Sequence, residues 1–234
     1  MKILLTGANG YIGMRLLPLL LEQGHQVVCA VRSADRLSVD PEVKKEIEIV
    51  EIDFLEEVQP NKLPTDIDAA YYLIHSMTTS TKDFDEKEAQ AAENFNKYLE
   101  PVNAKQVIFL TGMVNEKESS KHLSSREKVG KILQEGNFHL TCLQAGIVVG
   151  SGSSSFEIIR DLCEKLPFMI TPRWVNTKTQ PIAIRNVLQY LTGVLGNEKC
   201  YDEAFDIGGP EVLTYKKMML QYSKIRGLKL HIIG

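Results

Sequence analysis

The stretch that most constrains this chain is Lys2-Ile3-Leu4-Leu5-Thr6-Gly7-Ala8-Asn9-Gly10-Tyr11-Ile12-Gly13. Ile3, Leu4 and Leu5 form the short apolar run of a strand buried on both faces, and a glycine turn follows with no linker. Gly7, Gly10 and Gly13 then recur three apart, at the start of a helical pattern. The first glycine permits a tight turn, the second lets backbone approach a pyrophosphate, and the third lets helix pack closely on strand. In this reading the amides from Asn9 through Tyr11 to Ile12 point at phosphate oxygens, helped by the positive end of the helix. A glycine repeat alone says little. Placed between a strand and a helix, it points to dinucleotide binding.

Composition narrows the alternatives. The 234 residues suffice for one α/β domain with a small appendage. With 27 Lys and Arg against 30 Asp and Glu, the net charge of −3 gives no electrostatic case for nucleic acid or an anionic membrane. Cys29, Cys142, Cys163 and Cys200 lie far apart without a Cys-x-x-Cys, so the expectation is reduced thiols in a cytoplasmic protein with no metal site. The apolar run before Thr6 is too short for a signal peptide, and no run approaches a membrane span.

Along the chain, the first helix is expected from about Tyr11 to Gln23, bent rather than broken at Pro18 and ended by Gly24. The second strand, Gln26 to Ala30, leads into Arg32, Ser33 and Arg36. A basic residue here accommodates the 2′-phosphate of NADP, where an acid would bind the ribose hydroxyl of NAD. NADP is therefore expected over NAD; the competing reading is that these arginines are solvated loop charges. The third strand, Glu46 to Ile52, runs into Asp53-Phe54. There the carboxylate either accepts from an adenine amine or caps a short turn. Strand four, Ala69 to Ile74, ends at His75-Ser76 beside the ligand crevice, where His75 is expected as a wall residue. A helix from Asp83 to Leu99, a strand from Gln106 to Leu110 ending in Thr111-Gly112, a helix from about Leu123 to Gln134, and a strand from His139 to Gln144 ending in Ala145-Gly146 complete the pattern.

The chain resembles the short-chain dehydrogenase/reductase superfamily, in its atypical, NmrA-like branch of NAD(P)-binding proteins. The carriers are the glycine turn, the basic end of strand two, Asp53-Phe54, Asn94, Gln144 to Gly150, Gln180 to Ile184, and Phe205 to Glu211. The resemblance implies a Rossmann-type doubly wound parallel sheet over residues 1–150, completed by a small substrate-side subdomain over 151–234. It implies cofactor contacts from Gly7, Asn9, Gly10, Tyr11, Ile12, Gly13, Arg32, Ser33, Arg36, Asp53, Phe54, His75, Ser76, Thr111, Gly112, Arg126, Ala145 and Gly146. The family's Tyr-x-x-x-Lys pair, in which tyrosine moves the proton and lysine holds the ribose, is matched here by His122-x-x-x-Arg126. Histidine titrates in a suitable range and arginine is permanently charged.

This departure leaves three expectations open: an NADPH-dependent reductase of a small carbonyl or quinone; a catalytically silent NADP(H)-binding redox sensor or accessory protein with a regulatory protein partner; and an isomerase or epimerase using tightly held cofactor. Gly150 to Ser155 reads as a loop over the crevice mouth, and Arg173 with Trp174 reads as either substrate wall or packing. Relatives of this branch usually continue past Gly234, so the subdomain is expected to be truncated; a homodimer through crossover helices is a further implication of the resemblance.

Overall fold

A computed structural model describes residues 1–74, 84–113 and 121–233, with backbone alone at 84 and 121–125. The chain forms two compact units: Met1–Gln144 with Leu188–Asp206, and Ala145–Val187 with Ile207–Gly234. This differs from a division at residue 150, because the chain returns to the first unit after leaving it.

The first unit is built on a seven-stranded sheet. Its strands are β1 (Lys2–Thr6), β2 (Gln26–Val31), β3 (Ile47–Glu51), β4 (Ala69–Tyr72), β5 (Gln106–Gly112), β6 (His139–Ala145) and, further along the chain, β11 (Ala204–Ile207). The order across the sheet is β11-β6-β5-β4-β1-β2-β3. The pairs β3/β2, β2/β1, β1/β4 and β4/β5 are all parallel. Ile3, Leu4, Leu5, Val28, Cys29, Ala69, Ala70 and Val107 are fully or almost fully enclosed, as strands covered on both faces require. From β1 the chain winds outward through β2 and β3, then returns to place β4 on the other side of β1. That reversal puts the ligand crevice outside the carboxyl ends of β1 and β4.

The helices α1 (Gly13–Glu22), α3 (Phe84–Leu99) and α4 (Lys121–Gln134) connect the strands. α1 runs unbroken through Pro18, which is exposed, while Leu16, Leu17 and Leu20 are buried. It ends where Gly24 takes φ +78°, with His25 N donating back to Leu20 O at 3.1 Å. α3 and α4 pack along each other, and Tyr72, Phe95, Phe54 and Phe109 form a ring cluster in the same core, with Tyr72 edge-on to Phe95 and Phe109, Phe54 tilted on Phe95, and centroids 4.9–5.9 Å apart. A short helix absent from the sequence reading, α2 (Pro41–Glu46), precedes β3; Asp40 caps it by accepting from Glu42 N at 2.9 Å, and Pro41 supplies its first turn.

The second unit has its own core of Ile159, Cys163, Met169, Val175, Leu213, Met218 and Met219. Its strands pair two by two: β7 (Val148–Val149) with β10 (Ile182–Ala183), β8 (Phe168–Ile170) with β13 (His231–Ile233), and β9 (Lys178–Thr179) with β12 (Leu213–Thr214). Helices α5 (Ser154–Lys165) and α7 (Tyr215–Ile225) pack together, α7 capped as expected by Thr214, whose hydroxyl accepts from Lys217 N at 3.1 Å. Helix α6 (Ile184–Gly193) carries the chain from the second unit back to the first. β11 joins the edge of the large sheet, as the sequence suggested.

Candidate functional site

The site grows from the carboxyl ends of β1 and β4. Thr6, fully buried, donates from Oγ1 to Tyr71 O at 2.9 Å and accepts from Leu73 N at 3.1 Å, extending the β1/β4 pairing past the ladder. Gly7 then turns with φ +63°, and a Cβ there would come within 2.5 Å of Leu73 O. At Gly13 a Cβ would lie 2.3 Å from Gly7 O, so helix and turn touch backbone to backbone. The expected roles of the first and third glycines are thereby realised. The amide of Gly10 is a correction: it donates to Gly7 O at 2.8 Å and is engaged in closing the turn, so it is not aimed at a ligand. The amides of Asn9 and Ile12 have no hydrogen-bond partner among the described residues. Such donors at a helix start are a cradle for a diphosphate. Arg15 adds positive charge here, its guanidinium 4.0 Å from the Tyr11 ring centroid and donating to Tyr11 O at 3.1 Å.

At the tips of β2 and β3, Arg32 and Arg36 are exposed and Ser33 is half-buried. The sequence reading overlooked Glu51. Paired in register with Val31, it sits beside Arg32 and accepts from Ala34 N at 2.6 Å. Beyond β3, Asp53 Oδ1 accepts from Leu55 N at 3.0 Å and Asp53 O from Glu56 N at 3.1 Å, so the carboxylate shapes a tight turn without capping a helix. Phe54 is a core residue, 6 % exposed against Phe95 and Tyr98, which leaves only its backbone for a ligand. Asn94 of α3 secures this loop, donating to Phe54 O at 2.9 Å and Glu56 O at 3.0 Å.

At the top of β5, Thr111 is buried and its Oγ1 has no hydrogen-bond partner among the described residues. Strand alternation puts it on the face of Phe109, with Gly112 closing the strand. Arg126 of α4 is half-buried; burial lowers its pKa from the ordinary arginine value, while the charge of Glu88 on α3 opposes that shift. Glu88 is itself buried. Tyr72 is pushed far above the ordinary tyrosine range, first by burial and then by Glu88, and Tyr71 is raised by burial, its hydroxyl donating to Leu191 O at 2.9 Å. Neither tyrosine is poised to move a proton. His75 and Ser76 lie outside the described residues, as does the side chain of His122, whose backbone lies in the first turn of α4.

Ala145 and Gly146 belong to the second unit. Gly146 N donates to Ile207 O at 3.4 Å, Gly209 N to Pro181 O at 2.9 Å, and Gln180 Nε2 to Gly209 O at 2.6 Å. The late family-like stretches are thus stitched to one another. Arg173 and Trp174 are exposed, Trp174 meeting Tyr215 edge-on at 5.5 Å. Among the described residues no group of three His, Cys, Asp or Glu could hold a metal, and no helix is long and apolar enough to cross a membrane.

Comparison with known proteins agrees with this geometry. The profile of the NAD(P)H-binding family matches residues 7–145, more than half of the chain. No curated protein sequence matches it. Among solved structures, the UDP-glucuronic acid 4-epimerase from Bacillus cereus in complex with NAD is 18% identical, with TM-score 0.79 over 100% of this chain and 85% of that one. A nucleoside-diphosphate-sugar epimerase from Staphylococcus aureus is 13% identical, with TM-score 0.79 over 100% and 80%. An NAD-dependent NDP-hexosamine 5,6-dehydratase of tunicamycin biosynthesis is 15% identical, with TM-score 0.75 over 99% and 82%. At these identities the likeness speaks to the fold, a Rossmann-like α/β sheet. With the glycine cradle at the switch point and the family profile spanning it, the chain belongs to the NAD(P)H-binding family.

Proposed function

We propose that this protein holds NADP(H) on the glycine turn without turning it over, as a redox sensor or accessory protein. The observation that carries the reading is at the position of the family's catalytic lysine. Arg126, half-buried and within electrostatic reach of buried Glu88, stands there, and the tyrosines at the top of β4 are held neutral by burial. Lowering a tyrosine's pKa needs a cation beside an accessible hydroxyl; Tyr72 has a carboxylate instead. NADP over NAD rests on Arg32, Ser33 and Arg36 at the tip of β2.

When bound, the dinucleotide would supply a nicotinamide able to exchange hydride. The chain's own residues bind and orient it: the amides of Asn9 and Ile12 meet the diphosphate, and the Asp53–Phe54 loop borders the adenine. Calorimetry on the full chain tests this reading. NADP and NADPH are expected to bind more tightly than NAD, and Arg32→Ala should weaken NADP about tenfold, a loss of roughly 1.4 kcal/mol, while leaving NAD unchanged. Equal losses for both cofactors would remove the NADP assignment.

Turnover is tested separately by following NADPH with a panel of quinones, aldehydes and nucleotide sugars. No steady oxidation and no sugar conversion is the expected result. Oxidation that disappears in His122→Ala would establish the reductase reading in its place. Conversion of a nucleotide sugar without net cofactor change would establish epimerase chemistry, the activity named for two of the solved neighbours.

A further inference from the structure

The two units differ in charge. The second, residues 145–187 and 207–234, holds ten Lys and Arg against four Asp and Glu, a net +6, which leaves −9 on the first and the −3 of the whole chain. Taken alone, the whole-chain value gives no case for an anionic surface; the second unit by itself does. Its four acids are all engaged: Glu157 and Asp161 with Arg160, Glu164 with Arg226, and Glu211 with Lys217. Arg173, Lys178, Arg185, Lys216, Lys224 and Lys229 have no ion-pair partner among the described residues.

This unit, less than a third of the chain, also holds nine of the twelve large apolar side chains that stand exposed among the described residues. β8 and β13 gather three of them on one face. The strands run parallel, with Phe168 level with His231, Met169 with Ile232 and Ile170 with Ile233. Met169 and Ile232 point into the core, as do Leu228 and Leu230 before them. Alternation turns Phe168, Ile170, Lys229, His231 and Ile233 outward. Phe168 is 69 %, Ile170 91 % and Ile233 63 % exposed, and His231 stacks on Phe168 with centroids 5.0 Å apart. Lys229 precedes this face on one strand, and exposed Arg173 follows it three residues beyond Ile170 on the other. Single exposed apolar residues are ordinary, but a contiguous set rimmed by charge marks an interaction surface.

We propose that this face docks on an anionic phospholipid bilayer: Phe168, Ile170 and Ile233 enter the boundary between headgroups and acyl chains, while Arg173 and Lys229 lie among the lipid phosphates. Only side chains enter, so the strand backbone stays at the hydrated level. A second copy seated on the same face would set two cationic rims against each other. A nucleic acid would answer the cations, but it is held through phosphate contacts and stacking on rings, which leaves Ile170 and Ile233 in water. Docking of this kind needs nothing from the dinucleotide site.

Flotation of the full chain with vesicles is the test. Vesicles of phosphatidylcholine mixed with phosphatidylglycerol are expected to carry the chain up a sucrose gradient, and vesicles of phosphatidylcholine alone to leave it behind. Ile170→Ser should weaken partitioning about tenfold, and Arg173→Glu with Lys229→Glu at least as much. These positions are exposed, thermal melts verify folding, and Phe168→Ser reports on the apolar face if Ile170→Ser does not fold. Equal flotation with the two kinds of vesicle, or undiminished flotation of a folded apolar-face variant, would overturn the proposal. A chain left behind by both kinds overturns it too and gives the face to an acidic protein. A wild-type dimer in size-exclusion chromatography that Ile170→Ser dissolves gives the face to a second copy instead.

Discussion

Single side chains set the tolerances of the cofactor turn. Gly13 has no room for a methyl group, because the obstacle is the carbonyl of Gly7, and that carbonyl is already the acceptor for Gly10 N. A backbone atom cannot rotate aside as the end of a side chain can. Gly13→Ala should therefore destabilise the first unit by about 1–3 kcal/mol, the cost of overpacking, and weaken dinucleotide binding as well. Urea denaturation followed by calorimetry would show both effects; a variant as stable as wild type would mean that α1 can shift away from β1. Thr6 has a complementary role. Its hydroxyl ties Tyr71 and Leu73 across the crevice floor, holding the carbonyl that Gly7 approaches.

At the scale of elements, α3 secures the loop after β3 through Asn94. Asn94→Ala removes donors to two carbonyls in a partly buried turn, for which a loss of about 1–3 kcal/mol is expected. Equilibrium unfolding measures that loss, and dinucleotide binding should weaken with it if the loop borders the adenine. The sequence revealed the strands of the sheet because their apolar runs are short and bounded by turn residues, and it revealed the turn because three glycines carry distinct steric demands. Asn94 was visible as one carrier of the family pattern. Glu88 was not: on a helix with Asp85, Glu86, Lys87 and Glu93 it reads as one more solvated charge, and only tertiary packing shows that it faces inward. Glu51 was hidden for a similar reason, since its partner is a backbone amide seventeen residues away in sequence. The helix from Pro41 to Glu46 has too few residues for a periodic signal and no buried side chain to betray it.

Across the whole molecule, each unit has its own core and at least one buried thiol, Cys29 and Cys200 in the first and Cys163 in the second. Burial pushes Cys29 in the first unit up to about 12 and Cys142 up to about 11, and it also raises Cys163 in the second. At pH 8 these groups stay protonated, and the thiol is far less reactive than the thiolate. Pulsed alkylation along a urea series, read by mass spectrometry, should label Cys29 only as the first unit opens and Cys163 with the opening of the second. Modification of Cys29 in the folded chain at the rate of an unfolded thiol would contradict its enclosure. The large sheet also ends in an outer strand, β3, that carries Glu48 and Glu51 on otherwise apolar neighbours. A neighbouring chain extending the sheet there would have to lay its own backbone beside those carboxylates and strip water from them. The acidic rim therefore favours separate molecules over fibrillar stacking, a property that matters when the protein is concentrated.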